Sequence, residues 1–147
     1  MSQVNSQITI RELNTLDEML PAFELISQMH KTMSFETYKT SISEMIRVNN
    51  FKMIAAFAGE KMVGVSGYWV LLMLYCGRYI QASNLVVDSK MQSMGIGKKL
   101  LKHLEEIGKK LDCAKIVLDS YSENKRSHPL YFREGFHIRG FHFMKDL

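Results

Sequence analysis

The stretch from Tyr79 to Leu111 constrains this chain more than any other, because its hydrophobic period changes once, in the middle. Tyr79 to Val87 is apolar and β-branched enough for a buried strand. Beyond it, Leu100, Leu104, Ile107 and Leu111 recur at spacings of four, three and four, which is one face of a helix. Between the two lies Gln92-Ser93-Met94-Gly95-Ile96-Gly97. Two glycines at that junction let the backbone turn tightly and bring its amides close to a ligand. The first N–H groups of the helix have no partner within it, and the helix dipole adds positive character at that end. Strand, glycine turn and helix start together predict a pyrophosphate cradle, although small residues also suit a plain tight connection. Two related loops are excluded. A dinucleotide fingerprint needs a third small residue where Leu100 stands. A P-loop needs a hydroxyl residue where Lys99 follows Gly97-Lys98.

The length of 147 residues suits one domain, 1–147, large enough to bury a core without staples. A hydrophobic share of 46% and a charged share of 23% are those of a soluble globular protein. Cys76 and Cys113 have no metal-site spacing; reduced thiols in a cytoplasmic protein are the expectation, with no bound metal. The opening MSQVNSQITIREL carries no apolar run of the kind a secretory signal needs. The longest apolar run, Tyr68 to Cys76, is too short to span a membrane. The net charge of +4 belongs to the C-terminal portion: twelve Lys or Arg against eight Asp or Glu from Asp88 onward, and seven of each before it. Lys98, Lys99 and Lys102 crowd the first turns of the helix, where cations oppose the dipole and a bound polyanion would offset them. No aromatic-interleaved basic stripe or nucleic-acid motif is present, so neither nucleic acid nor membrane is an expected partner.

In chain order, Gln7 to Glu12 reads as a short strand with Ile8 and Ile10 alternating. Thr15-Leu16-Asp17-Glu18 fits a capping box, and Pro21 is placed to break the helix that follows. Ser34 caps a second helix whose Phe35, Tyr38, Ile42, Met45 and Ile46 share a face, and Asn49-Asn50 ends it. Phe51 to Ala58 and Met62 to Leu74 read as strands joined by a hairpin at Gly59-Glu60-Lys61. A turn near Cys76-Gly77-Arg78 leads into the strand before the glycine loop. After the central helix, a strand (Lys115 to Asp119), a short helix (Ser127 to Glu134) stopped by Gly135, and two terminal strands around Gly140 are expected.

The loop Gln92-x-x-Gly95-x-Gly97, after a strand ending Leu85-Val86-Val87-Asp88, resembles the acetyl-CoA-binding motif of the GNAT superfamily of N-acetyltransferases. A second resemblance lies downstream, where Asn124, Ser127, Leu130, Tyr131, Gly135 and Phe136 are similar to the superfamily pattern Asn-x-x-Ala-x-x-Leu/Phe-Tyr-x-x-x-Gly-Phe. Gly67-Tyr68, Gly77-Arg78, Leu118-Asp119-Ser120, His128, Tyr131 to Gly135 and His142-Phe143 are similar to a group of small bacterial members, so the likeness runs from about Ile8 to Phe143. It implies an α/β GNAT fold: a central mixed, mostly antiparallel sheet flanked by about four helices.

The resemblance implies acetyl transfer from acetyl-CoA to an amine, on a small molecule or a protein, by direct attack. Such a reaction needs a base for the amine, donors for the tetrahedral oxyanion and a proton for the departing thiolate. By the same resemblance, backbone groups of Leu85, Val86 and Val87 hold the pantetheine arm, and Gln92, Ser93, Met94, Gly95, Ile96, Gly97 and Lys98 hold the pyrophosphate. Asn124 sits beside the cofactor, and Tyr131 protonates the leaving sulfur. The base is where this chain departs from the pattern. Gln81 stands where many relatives carry glutamate, and Ser83 and Asn84 stand where the bacterial group often carries aspartates. Asp119, five residues before Asn124, is the carboxylate some members use; imidazoles titrate in a useful range, which adds His128 and His142. Each of these residues also has an ordinary structural reading: core aromatic for Tyr131, turn or cap for Asn124 and Asp119. The missing carboxylates leave a non-catalytic acyl-CoA-binding or regulatory module as the alternative. His30-Lys31 and Phe35-Glu36 are expected on the acceptor side, and a homodimer stays open.

Overall fold

A computed structural model describes residues 7–147. The reading of the extreme N-terminus falls partly on residues 1–6, outside the described residues. Five strands form one sheet in the order β1-β2-β3-β4-β5, where β1 is Ile8–Leu13, β2 Lys52–Ala58, β3 Lys61–Met73, β4 Gly77–Val87 and β5 Lys115–Leu118. The first four are antiparallel neighbours, and β5 runs parallel to β4. This is the mixed, mostly antiparallel sheet the sequence implies. The parallel pair needs a crossover, supplied by α4 (Ile96–Lys110).

Each face of the sheet buries its own core. One face packs Met53, Ala55, Phe57, Val65 and Val86 under α1 (Leu16–Met19), α2 (Phe23–Ile26) and α3 (Phe35–Asn49). The other packs Ile54, Ala56, Tyr68, Ile80 and Ala82 against Ile96, Leu100 and Leu104 of α4. Ile107 of the predicted stripe is half-buried and Leu111 exposed, as the helix runs past the edge of the sheet.

Local signals act where the sequence places them. Thr15 accepts from the Glu18 N–H at 3.2 Å, while the Glu18 carboxylate reaches back to the Asn14 N–H at 2.6 Å, one residue earlier than a capping box requires. Pro21 sits in a 3₁₀ turn, Leu20–Ala22, that separates α1 from α2. Ser34 caps α3 through the Thr37 N–H at 3.1 Å, and Asn50 ends it in the left-handed region, φ 51. Tyr38 and Ile42 of the α3 stripe are buried, with Met45 and Ile46 packed beside them. Phe35 stays partly exposed, edge-on to Phe23 at 5.5 Å.

One expectation fails. From Phe136 to Leu147 there is no strand, so the two terminal strands around Gly140 are absent from this chain's sheet. A strand exists by pairing, and this segment has no pairing partner among the described residues.

Candidate functional site

The site is built where β4 changes neighbours. Up to Ala82 the strand is paired on both sides, with β3 and with β5. The β5 ladder ends at Ala82↔Leu118, and two residues of β4, Asn84 and Leu85, then oppose the single Ser66 of β3. That bulge puts Asn84 at φ 50, a left-handed conformation asparagine tolerates better than most residues. Beyond it β4 rejoins β3 at Val86↔Val65 and Val87↔Gly64. Among the described residues, no strand pairs with the β5-facing edge of Ser83 to Val87. Parallel strands that part at a bulge leave a slot whose wall is unpaired backbone.

The slot leads to the glycine loop. Asp88 begins it: the Asp88 N–H donates to Val63 O at 2.9 Å, and the carboxylate accepts the Lys90 N–H at 3.0 Å and lies 3.3 Å from Lys61 Nζ. The Lys90 amide first, and then Lys61, hold that carboxyl below the ordinary carboxylate range, against the opposing effect of burial. Gln92 ties the loop back by donating to Val87 O at 3.5 Å, which leaves its Oε1 buried and without a donor. Ser93 and Gly95 are both left-handed, φ 67 and φ 77. Gly95 is the N-cap of α4, and no side chain caps that helix. The first bond into the helix is Lys99 N–H to Gly95 O at 3.1 Å, so the N–H groups of Ile96, Gly97 and Lys98 have no protein acceptor among the described residues.

The two loop glycines serve different ends. Gly95 is demanded by its φ, with open space where a Cβ would stand. Gly97 is favoured by packing: a Cβ there would lie 3.0 Å from Leu130 Cδ2, a tight contact. The expected role of both, close approach of backbone to ligand, is compatible with that added contact at Gly97.

Leu130 belongs to α5 (His128–Arg133), so the second motif docks on the first. Glu134 reinforces the contact, its nearly buried carboxylate standing 3.7 Å from both Lys98 Nζ and Lys102 Nζ of α4. Lys98 and Lys102 are therefore partly neutralised within the fold. With Lys99 and His103 they still line a shallow basic depression beside Gly95. Tyr131, next to Leu130, is half-buried, and burial pushes its phenol up from the ordinary value, partly offset by the Ser127 side chain. Asn124 is held through its backbone, its N–H donating to Tyr121 O at 3.0 Å and its carbonyl accepting from Ser127 N–H at 3.2 Å.

The candidate bases gather on the opposite face. Gln81 lies across from Trp69, which packs against the core under α1–α3, so both side chains project there. Gln81 Nε2 donates to Asp119 Oδ2 at 2.8 Å. The amide that stands where relatives carry a base thus holds the carboxylate at the end of β5. His30, which the sequence placed only in a variable acceptor region, comes within 3.0 Å of Asn84 Oδ1 through Nε2. Asn84 Nδ2 in turn donates to Ser83 Oγ at 3.2 Å. An amide oxygen can only accept, so in this contact His30 Nε2 is the donor. Only a long-range contact reveals this residue; its sequence neighbourhood carries no signal. Trp69 Nε1, on the same face, is a buried donor without an acceptor among the described residues. His128 is tied down instead, its Nε2 3.1 Å from Ser120 Oγ and 3.0 Å from Tyr121 O, bracing the loop before α5. His142 lies in the unpaired C-terminal segment. Among the described residues no three His, Cys, Asp or Glu side chains converge to hold a metal, and no helix is long and apolar enough to cross a membrane.

The sheet thus parts at a β4 bulge and feeds a glycine loop and an uncapped helix. The pattern of the acetyltransferase (GNAT) family matches residues 16–136, and this chain belongs to that family. Among curated proteins it is 26% identical over 120 residues to the thialysine N-ε-acetyltransferase of Caenorhabditis elegans, covering 75% of this chain and 73% of that one. It is 26% identical over 123 residues to the glucosamine 6-phosphate N-acetyltransferase of Arabidopsis thaliana, covering 79% and 83%. An aminoglycoside N-acetyltransferase solved with CoA shares the fold at a TM-score of 0.82, with 17% identity and 100% of both chains covered.

Proposed function

We propose that this protein transfers the acetyl group of acetyl-CoA to a primary amine on a small molecule. The observation that carries the reading is a pair of unpaired backbone stretches at the two ends of the glycine loop: the β5-facing edge of Ser83 to Val87 before it and the Ile96, Gly97 and Lys98 N–H groups after it. An amide-bearing arm suits the first part and a pyrophosphate the second, with the α4 dipole and Lys99 adding positive charge. Acetyl-CoA supplies the activated thioester. The amine, once deprotonated, forms a C–N bond at the acetyl carbon, the C–S bond breaks, and the thiolate takes up a proton. Held on this frame, the two reactants gain most from proximity, with acid and base adding to it.

Tyr131 is the proposed acid: its raised pKa keeps the phenol protonated at neutral pH. Asp119, oriented by Gln81, is the proposed base, and His30 is the second group on that face able to take a proton. The amine class draws support from the two curated relatives, both named for amine acceptors. The test is release of free thiol from acetyl-CoA across a panel of lysine analogues, amino sugars and polyamines, with the acetylated product identified by mass. Turnover with at least one amine is the expected result. CoA binding with no turnover on any member of the panel would favour the acyl-CoA-binding module instead.

A further inference from the structure

A cavity of about 250 Å³ lies where β1 leaves the sheet and β2 enters it, between α1 and the C-terminal half of α3. It shares no residue with the candidate site. The floor is apolar: Leu13, Met19, Phe51 and Met53 line it, and all four are buried. The mouth is polar, with the exposed residues Glu12, Asn14, Asn50 and Lys52 around it. Pockets for drug-sized ligands begin at roughly 300 Å³, so this cavity suits a smaller molecule with an apolar body and a charged end.

Glu12 and Lys52 define what that charged end must be. Glu12 pairs with Ile54 across β1 and β2, and Lys52 lies two residues before Ile54, so the two side chains leave the same face of the sheet as diagonal neighbours. Opposite charges so placed are within reach of each other, yet among the described residues neither makes an ion pair. Glu12 turns instead to Tyr68, whose hydroxyl donates to Oε1 at 3.1 Å. Burial first, and then the Glu12 charge, push that phenol up, so it stays a donor and holds the carboxylate in place. A molecule carrying an ammonium and a carboxylate on one carbon would bridge the two charges and lay its side chain on the apolar floor.

We infer that this cavity is a second binding site, for a free α-amino acid with an apolar side chain, its ammonium on Glu12 and its carboxylate on Lys52. The inference does not depend on the acetyl-transfer reading, because it requires neither acetyl-CoA nor turnover.

The test is titration of the full chain, without acetyl-CoA, by L-leucine, L-methionine and L-phenylalanine, followed through the backbone amides in a nitrogen–proton correlation spectrum. For at least one of the three, the amides of Leu13, Asn50, Phe51, Lys52 and Met53 should shift. The matching acid without the ammonium, and the matching amine without the carboxylate, should each bind about ten-fold more weakly or worse. Glu12→Gln, which can still accept from Tyr68, and Lys52→Gln, at an exposed position, should each weaken binding of the amino acid by a similar factor and keep the dispersion of the spectrum. No shift at those five amides with any of the three at millimolar concentration would overturn the inference. So would shifts confined to His30 and Ser83–Val87, which would put the amino acid on the acceptor side, or binding indifferent to the loss of either charge from ligand or protein.

Discussion

At the scale of single residues, the proposed chemistry rests on Tyr131 as acid and Asp119 as base. Tyr131→Phe keeps the ring that meets Phe136 edge-on at 6.1 Å, so packing survives while the donor is lost. kcat should fall by roughly ten- to a thousand-fold with little change in acetyl-CoA affinity, as read by steady-state kinetics beside a binding titration. Unchanged turnover would return Tyr131 to a packing role. Asp119→Asn retains the hydrogen-bonding size of the carboxylate beside Gln81 but cannot accept a proton. The acidic limb of the kcat/KM profile should flatten or move. Should that limb stay in place and His30→Gln displace it instead, the base lies on the His30–Asn84 side of the same face.

At the scale of elements, the glycine loop is a joint between β4, α4 and α5, and each contact has its own failure mode. Gly97→Val would press its branched side chain on Leu130 and push α5, with Tyr131, away from α4. About 1–3 kcal/mol of stability should be lost, and turnover should drop more than CoA affinity. Thermal unfolding beside kinetics separates the two effects. Asp88→Asn attacks the other side of the joint: its amide oxygen can still accept the Lys90 N–H, but the charge and the second oxygen facing Lys61 are lost. Because the native carboxyl lies below the unfolded value of about 3.9, its stabilisation is full above that value and is lost as pH falls through the native one. The Tm difference between wild type and Asp88→Asn should therefore be present at pH 7 and shrink below about pH 4. A constant difference across that range would place the effect elsewhere.

Elements coded by neighbours in sequence were legible before the structure. The caps at Thr15 and Ser34, the break at Pro21, the hairpin at Gly59 and the glycine loop all depend on residues a few positions apart. What stayed hidden depends on partners far along the chain. Nothing near Asn84 announces that β4 carries an extra residue there, because a bulge is defined against β3. The reason for Gly97 is Leu130, thirty-three positions on, and the Gln81–Asp119 bond appears only once β4 and β5 are set in parallel register. The C-terminal segment was expected as strands, and among the described residues no strand pairs with it.

At the scale of the whole molecule, helices on both faces steady a sheet whose bulge in β4, beside the end of the β4–β5 ladder, marks the candidate site. The central claim is that this junction and the α4 N-terminus bind acetyl-CoA. Calorimetric titration of acetyl-CoA into the wild-type chain and into Gly95→Val tests it directly. The variant forces a β-branched residue into φ 77 while leaving the surrounding space open, so the loop should be disturbed and both cores spared. The account predicts one-to-one binding to the wild type, with a rise in Tm at saturation, and its loss in Gly95→Val. Equal affinity in the two chains, or no heat with acetyl-CoA where NAD binds tightly, would contradict it.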